Sequence, residues 1–247
     1  MSMNSETGHL KNVTNFESLI ALATAFDASY NPSTPAIKIP GLQAILDDAK
    51  ASINAVDIAL IAYTNAVGER EASFIPFDKL INRVNSSLKA SGVTEQVTDS
   101  AKTIVRKLQG KRANTTLTEE EIKAMQAEGK DINQISVSQL SYDGRLGNFD
   151  KLITLLLSVP DYNPNEEELK IESLKALKTD LNTKNNAVLT ATIQLSNARI
   201  ARNNVLYKPS TGLVDVAAQA KLYMKSVFGA SSPQYKQVSK LNFITRD

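Results

Sequence analysis

One feature constrains this chain more than any other: it contains itself twice. The 46 residues from Tyr30, YNPSTPAIKIPGLQAILDDAKASINAVDIALIAYTNAVGEREASFI, align without a gap to those from Tyr162, YNPNEEELKIESLKALKTDLNTKNNAVLTATIQLSNARIARNNVLY, at an offset of 132 with 16 identities. Chance agreement of about 6% per position would give roughly three, so composition does not explain the match. The identities include Tyr30/Tyr162, Pro32/Pro164, Leu42/Leu174, Val56/Val188, Asn65/Asn197 and Arg70/Arg202. Just upstream, NFESLIAL at Asn15 matches NFDKLITL at Asn148 at offset 133. Downstream the match fades, but a glycine break recurs at Gly92 and Gly229.

Each copy reads as three or four helices. A short first helix (about 15–28, and 148–158) stops before Tyr-Asn-Pro, where proline disfavours helix in the residue before it. The second is long, about 41–70 and 172–206. Its apolar positions, Leu42, Ile45, Ala49, Val56, Ala59 and Tyr63, recur in copy two as Leu174, Leu177, Leu181, Val188, Ala191 and Leu195. That 3–4 spacing is a heptad-like seam. Leu46, Ile53, Leu60 and Val67 make a second stripe in copy one, so the helix needs neighbours on more than one side. A third helix is predicted over 76–91 and 212–228, and a fourth over Thr94–Gln109. The last segment, from Ser232, ends in LNFITRD, which suits extended chain.

These patterns predict an all-α protein: an elongated helical bundle built from two tandem related copies with long heptad-like helices. Residues 1–14 read as a polar N-terminal tail, 15–109 as copy one, 110–147 as a connector with a short helix, and 148–247 as copy two. In the connector, Thr118-x-x-Glu121 opens a capping box, TEEEIKAMQAEGK reads as helix, and YDGRLGN at 142–148 reads as a turn.

Composition removes several function classes. The chain has 247 residues, no Cys, no Trp and a single His, His9. Without Cys there is no disulfide framework, thiolate nucleophile or Cys-based metal site. One His in a polar tail supports neither a Ser-His-Asp triad nor a His-rich metal centre. No stretch approaches the ~20 apolar residues that span a bilayer, and MSMNSETGHLKN lacks the apolar core of a signal peptide. The expected setting is cytoplasmic, with no membrane partner and no cofactor.

The remaining candidates bind rather than react. Arg70 and Arg202 stand at matching positions near the ends of the long helices, where a guanidinium could hold a carboxylate or phosphate; a helix-dipole role is the simpler reading. Asn65/Asn197, like Asn54/Asn186, could bind a ligand or fix helix register. Arg106, Lys107, Lys111 and Arg112 cluster where copy one exits, and residues 173–246 carry eleven Lys/Arg against two acids. A basic face attracts nucleic acid or an acidic partner, but no aromatic interleaving accompanies this one. Tyr235 lies in GASSPQYKQ, which could form an exposed contact loop. Glu119–Glu121 and Glu166–Glu168 sit at helix starts, where acids complement the dipole. Ser86-Ser-Leu-Lys89 matches Ser-x-x-Lys, but its companion elements are missing and so short a pattern is common by chance.

The phrases AKTIVRKLQGKR, SYDGRLGNFDKLI, LSNARIARNNVLYKP and KSVFGASSPQYKQVSKL together resemble an uncharacterised family of bacterial proteins. The resemblance would span nearly the whole chain. It implies a bacterial, cytoplasmic setting and supplies no activity, ligand or catalytic residue. The expected function is non-enzymatic: a structural, scaffolding or self-assembling helical protein, associating with itself or another protein. The alternative is a binding module for nucleic acid or an acidic partner through the basic C-terminal half, and more remotely an enzyme built on carboxylates or lysine.

Overall fold

A computed structural model describes residues 7–110 and 141–245. The described chain is all-α, with no strand among the described residues. The helices are α1 (Thr7–Ala25), α2 (Ile39–Phe74), α3 (Phe77–Ala90), α4 (Glu95–Leu108), α5 (Tyr142–Leu157), α6 (Ile171–Tyr207), α7 (Leu213–Phe228) and α8 (Pro233–Ser239). The capping box at Thr118 and the short connector helix lie outside the described residues.

The chain forms two compact units that cut across the sequence copies. Unit 1 holds residues 1–64 and 190–247; unit 2 holds 65–189. Copy one therefore supplies α1 and most of α2 to unit 1, but the end of α2, α3 and α4 to unit 2. Copy two supplies α5 and the start of α6 to unit 2, and the rest of α6, α7 and α8 to unit 1. Each unit joins the front of one copy to the back of the other. The long helices explain the partition. At 36 and 37 residues, each runs about 54 Å. That is too long for both ends to lie in one core built from half the chain.

In unit 1, Val13, Phe16, Leu19, Ile20 and Ala23 of α1 meet Leu42, Leu46 and Ala49 of α2 and Leu213, Val216, Ala217, Ala220 and Met224 of α7. In unit 2, Leu146, Phe149, Leu152, Ile153 and Leu156 of α5 meet Leu174 and Leu181 of α6, Ile81, Val84 and Leu88 of α3, and Ala101, Val105 and Leu108 of α4. Both sets follow the helical 3–4 spacing, and the seam residues read from the sequence supply much of them.

The Tyr-Asn-Pro turn is the same device in both units. Tyr30 donates its hydroxyl to the Ile37 carbonyl at 2.6 Å, and Tyr162 donates to the Leu169 carbonyl at 2.8 Å. Both tyrosines are buried, and each closes a loop holding a short 3₁₀ turn (Pro35–Ile37 and Glu167–Leu169) ahead of its long helix. A buried carbonyl left without a donor would cost about 1–3 kcal/mol, which accounts for the tyrosine identity between the copies. The predicted stops also hold, since Gly92 and Gly229 adopt φ of +70° and +81° after α3 and α7, a region that favours glycine.

Three sequence expectations are corrected. Residues 7–14 are not a tail: α1 begins at Thr7, and His9, Asn12 and Val13 are buried with Phe16. The apolar face is too sparse there to read, because two of its members are polar. His9, only 1% exposed, is hydrogen-bonded through Nδ1 to the Tyr207 hydroxyl at 2.8 Å. The YDGRLGN segment is not a turn but the start of α5, capped by Ser141, whose hydroxyl accepts from the Gly144 N–H. Its two glycines suggested a break, but the cap and the buried Leu146 and Phe149 outweigh their helix cost of about 1 kcal/mol each. The segment around Tyr235 is not a loop. It forms α8, where Ser232 accepts from the Tyr235 N–H and Tyr235 packs against the unit 1 core.

The terminal LNFIT is non-helical, as its sequence suggested. Asn12 holds it from both sides, donating to the Ile244 carbonyl at 2.8 Å and accepting from the Ile244 N–H at 2.7 Å. Asn15 adds a bond to the Asn242 carbonyl. No helix among the described residues is long and apolar enough to cross a membrane.

Candidate functional site

The matched arginines are placed by packing. Arg70, near the end of α2, lies over the Tyr142 ring at 3.9 Å from its centroid and donates to Asn185 Oδ1 at 3.2 Å. Asn185 in turn donates to Asp143 at 2.7 Å. Arg202 is 3% exposed and donates from Nε and a terminal nitrogen to Asn203 Oδ1. Each guanidinium is thus engaged within its own unit. Arg106 and Lys107 occupy the last turn of α4, where cations complement the carbonyl end of the helix dipole. Lys111 and Arg112 lie outside the described residues.

The Glu166–Glu168 triplet also has local partners. Glu168 pairs with Arg83, and Glu167 pairs with Lys170, whose ammonium holds the Glu167 carboxyl below its ordinary range. Among the described residues no group of three or more His, Asp or Glu is arranged to hold a metal ion.

The candidate asparagines belong to a larger pattern that lies off the buried seam. Asn54, Ile61 and Asn65 lie at spacings of seven and four along α2, so they share one helix face. All three are exposed. The same residues recur at Asn186, Ile193 and Asn197 on α6, and these too are exposed. Ile61 is 62% exposed and Ile193 52%. Neither belongs to the buried seam or to the second stripe. Nearby on α2, Ile58 is exposed; on α6, so is Ile200, seven residues beyond Ile193. The signal was present in the sequence: an isoleucine identical in both copies yet off the core register.

A second feature lies in unit 2. A groove of about 570 Å³ opens between α3 and the segment after Tyr162, lined by Lys79, Arg83, Ser86, Ser87, Glu166 and Leu169 among others. Ser86 and Ser87 are those of the discarded Ser-x-x-Lys pattern. Burial pushes the Tyr162 phenol up from its ordinary range, against a smaller opposing effect of a hydrogen bond from Ser87.

Neither a protein-family model, nor a curated protein, nor a solved structure matches this chain.

Proposed function

We propose that this chain is a non-enzymatic helical protein that associates with further copies of itself through the Asn-Ile-Asn faces of α2 and α6. The observation that carries this reading is the repetition of three exposed residues at the same helical spacing: Asn54–Ile61–Asn65 and Asn186–Ile193–Asn197. Core packing accounts for repeated leucines and tyrosines. It does not account for a repeated isoleucine in water. Covering such a side chain contributes about 1.5–3 kcal/mol, and the flanking amides suit the register-fixing role that asparagine plays between helices. The seven-residue step from Asn54 to Ile61, and from Asn186 to Ile193, suits a coiled-coil-like contact. Because one chain carries the face twice, its copies can pair in a closed dimer or add head to tail.

Size-exclusion chromatography with light scattering tests the proposal. The expected result is an assembly larger than the 26.9 kDa chain. Ile61→Asp with Ile193→Asp should return it to monomer with its helical circular dichroism unchanged, since both residues are outside the core. A strict monomer at high concentration, or an assembly indifferent to the double substitution, would overturn it.

A further inference from the structure

The groove of unit 2 has a counterpart in unit 1 that is already filled. The helices α3 and α7 correspond from their first residues, Phe77 and Leu213, at an offset of 136. Their buried positions agree: Phe77, Ile81, Val84 and Leu88 against Leu213, Ala217, Ala220 and Met224. On this register Ser87 corresponds to Tyr223. In unit 1 the Tyr223 ring stands edge-on to Tyr30, with centroids 5.4 Å apart and planes at 85°. Its hydroxyl accepts the Asn31 N–H at 3.2 Å. Unit 2 keeps the matching Tyr162 and Asn163 but has only the serine hydroxymethyl in place of the ring. Pro32, beside the filled place, is buried, whereas Pro164 is only half-buried.

The vacated place differs from its counterpart in charge as well. One turn before Ser87 stands Arg83, where unit 1 has the neutral Gln219, and one turn earlier Lys79, where unit 1 has Asp215. The groove thus has two cations, Lys79 and Arg83, along its α3 wall, with the Glu166 carboxylate also in its lining, and Ser87 reaches from it to the buried Tyr162, which Asn163 follows in the chain. Its volume is within the usual range for small-ligand sites.

We infer that this groove binds a small aromatic acid. The ring takes the place that Tyr223 fills in unit 1, a phenolic hydroxyl accepts the Asn163 N–H, and the carboxylate lies toward Arg83, which is shared with Glu168, and Lys79. This is independent of self-association, because none of these residues belongs to the Asn-Ile-Asn faces.

The probe is 4-hydroxyphenylpropionate, a tyrosine side chain carrying a carboxylate. Titrated into the full chain and followed by NMR, it should give saturable shifts with one site per chain. Ser87→Tyr should abolish them by rebuilding the unit 1 arrangement. Arg83→Gln, an exposed change that leaves the core untouched, should weaken binding by about tenfold, as loss of a charge-assisted hydrogen bond does. Tyr223→Ser with Gln219→Arg should add a second site. Absence of saturable binding to the wild-type chain, or binding that survives both Ser87→Tyr and Arg83→Gln, would overturn the assignment.

Discussion

Asn12 in unit 1 and Arg145 in unit 2 occupy corresponding places on α1 and α5, at the offset of 133 that joins Phe16 to Phe149, and they finish their cores by different chemistry. Arg145 lies over the Phe74 and Phe77 rings, at 5.2 and 5.0 Å, and pairs with Asp78. Beneath it the rings of Tyr142, Phe74, Phe77 and Phe149 touch in succession, centroids 4.8–5.6 Å apart. In unit 1 the places of Phe74 and Phe77 are held by Leu206 and Leu213, and that of Asp78 by Val214. Asn12 there binds the terminal non-helical segment instead, bringing Phe243 edge-on to Phe16. One unit closes with its own large rings under a guanidinium; the other has smaller residues and closes with a separate piece of chain. The lesson is that a repeat preserves the shape of a core rather than its parts list. Volume lost at one position is regained wherever the chain can supply it.

The largest test of this contrast is Phe77→Ala. It removes a ring that touches two others and underlies Arg145, and should destabilise unit 2 by about 3–5 kcal/mol in denaturant unfolding. The reverse probe, Ala217→Ile, places unit 2's Ile81 in unit 1. It should cost about 1–3 kcal/mol by overpacking; a neutral result would mean that the unit 1 core has room the comparison does not grant it.

Asn12→Ala should cost about 1–3 kcal/mol, since it strands backbone groups of Ile244. Hydrogen exchange should quicken at the Ile244 amide and leave α5 unchanged. If α5 exchanges faster as well, closure by the terminal segment is not a unit 1 property.

Alkaline pH reads the two Tyr-Asn-Pro turns. Burial, with Tyr223 adding to it, pushes the Tyr30 phenol from 10.0 up to about 12. Above pH 10 the unfolded chain ionises this group while the folded chain keeps it neutral. The stability it contributes is complete below pH 10 and is lost as pH rises toward 12. Tyr30→Phe should flatten that part of the stability profile, and Tyr162→Phe should act in the same direction. A profile unchanged by Tyr30→Phe would show that its phenol titrates alike in both states.

The smallest effect concerns two ion pairs that repeat with a one-turn slip. Glu17 of α1 pairs with Lys50, and its counterpart Asp150 of α5 pairs with Lys178, one turn nearer the start of the long helix. These exposed pairs should each contribute under about 1 kcal/mol. Lys50→Ala and Lys178→Ala should both be nearly silent in thermal unfolding. A larger loss from either would show that the slip matters to helix register.

Much of this molecule was legible in one dimension. Helix content, the long helices to within a few residues, the buried seam from Leu42 and Leu174, and the glycine stops all follow from side-chain periodicity and backbone sterics, which act over a few residues. The start of α1 was hidden because His9 and Asn12 are buried by virtue of Tyr207 and Ile244, partners 198 and 232 residues away. The start of α5 was hidden because a capped, packed helix overrides two glycines. Of the candidate binding residues, the sequence located the matched Arg70 and Arg202 and the matched asparagines. That both arginines are engaged within their units, while Ile61 and Ile193 stand in water beside those asparagines, depends on which helix faces meet. The two copies were plain in the sequence as well. Their exchange of halves was not, because similarity is a property of the segments themselves, whereas burial is decided by which segments reach one another. A helix about 54 Å long carries each copy out of one core and into the next.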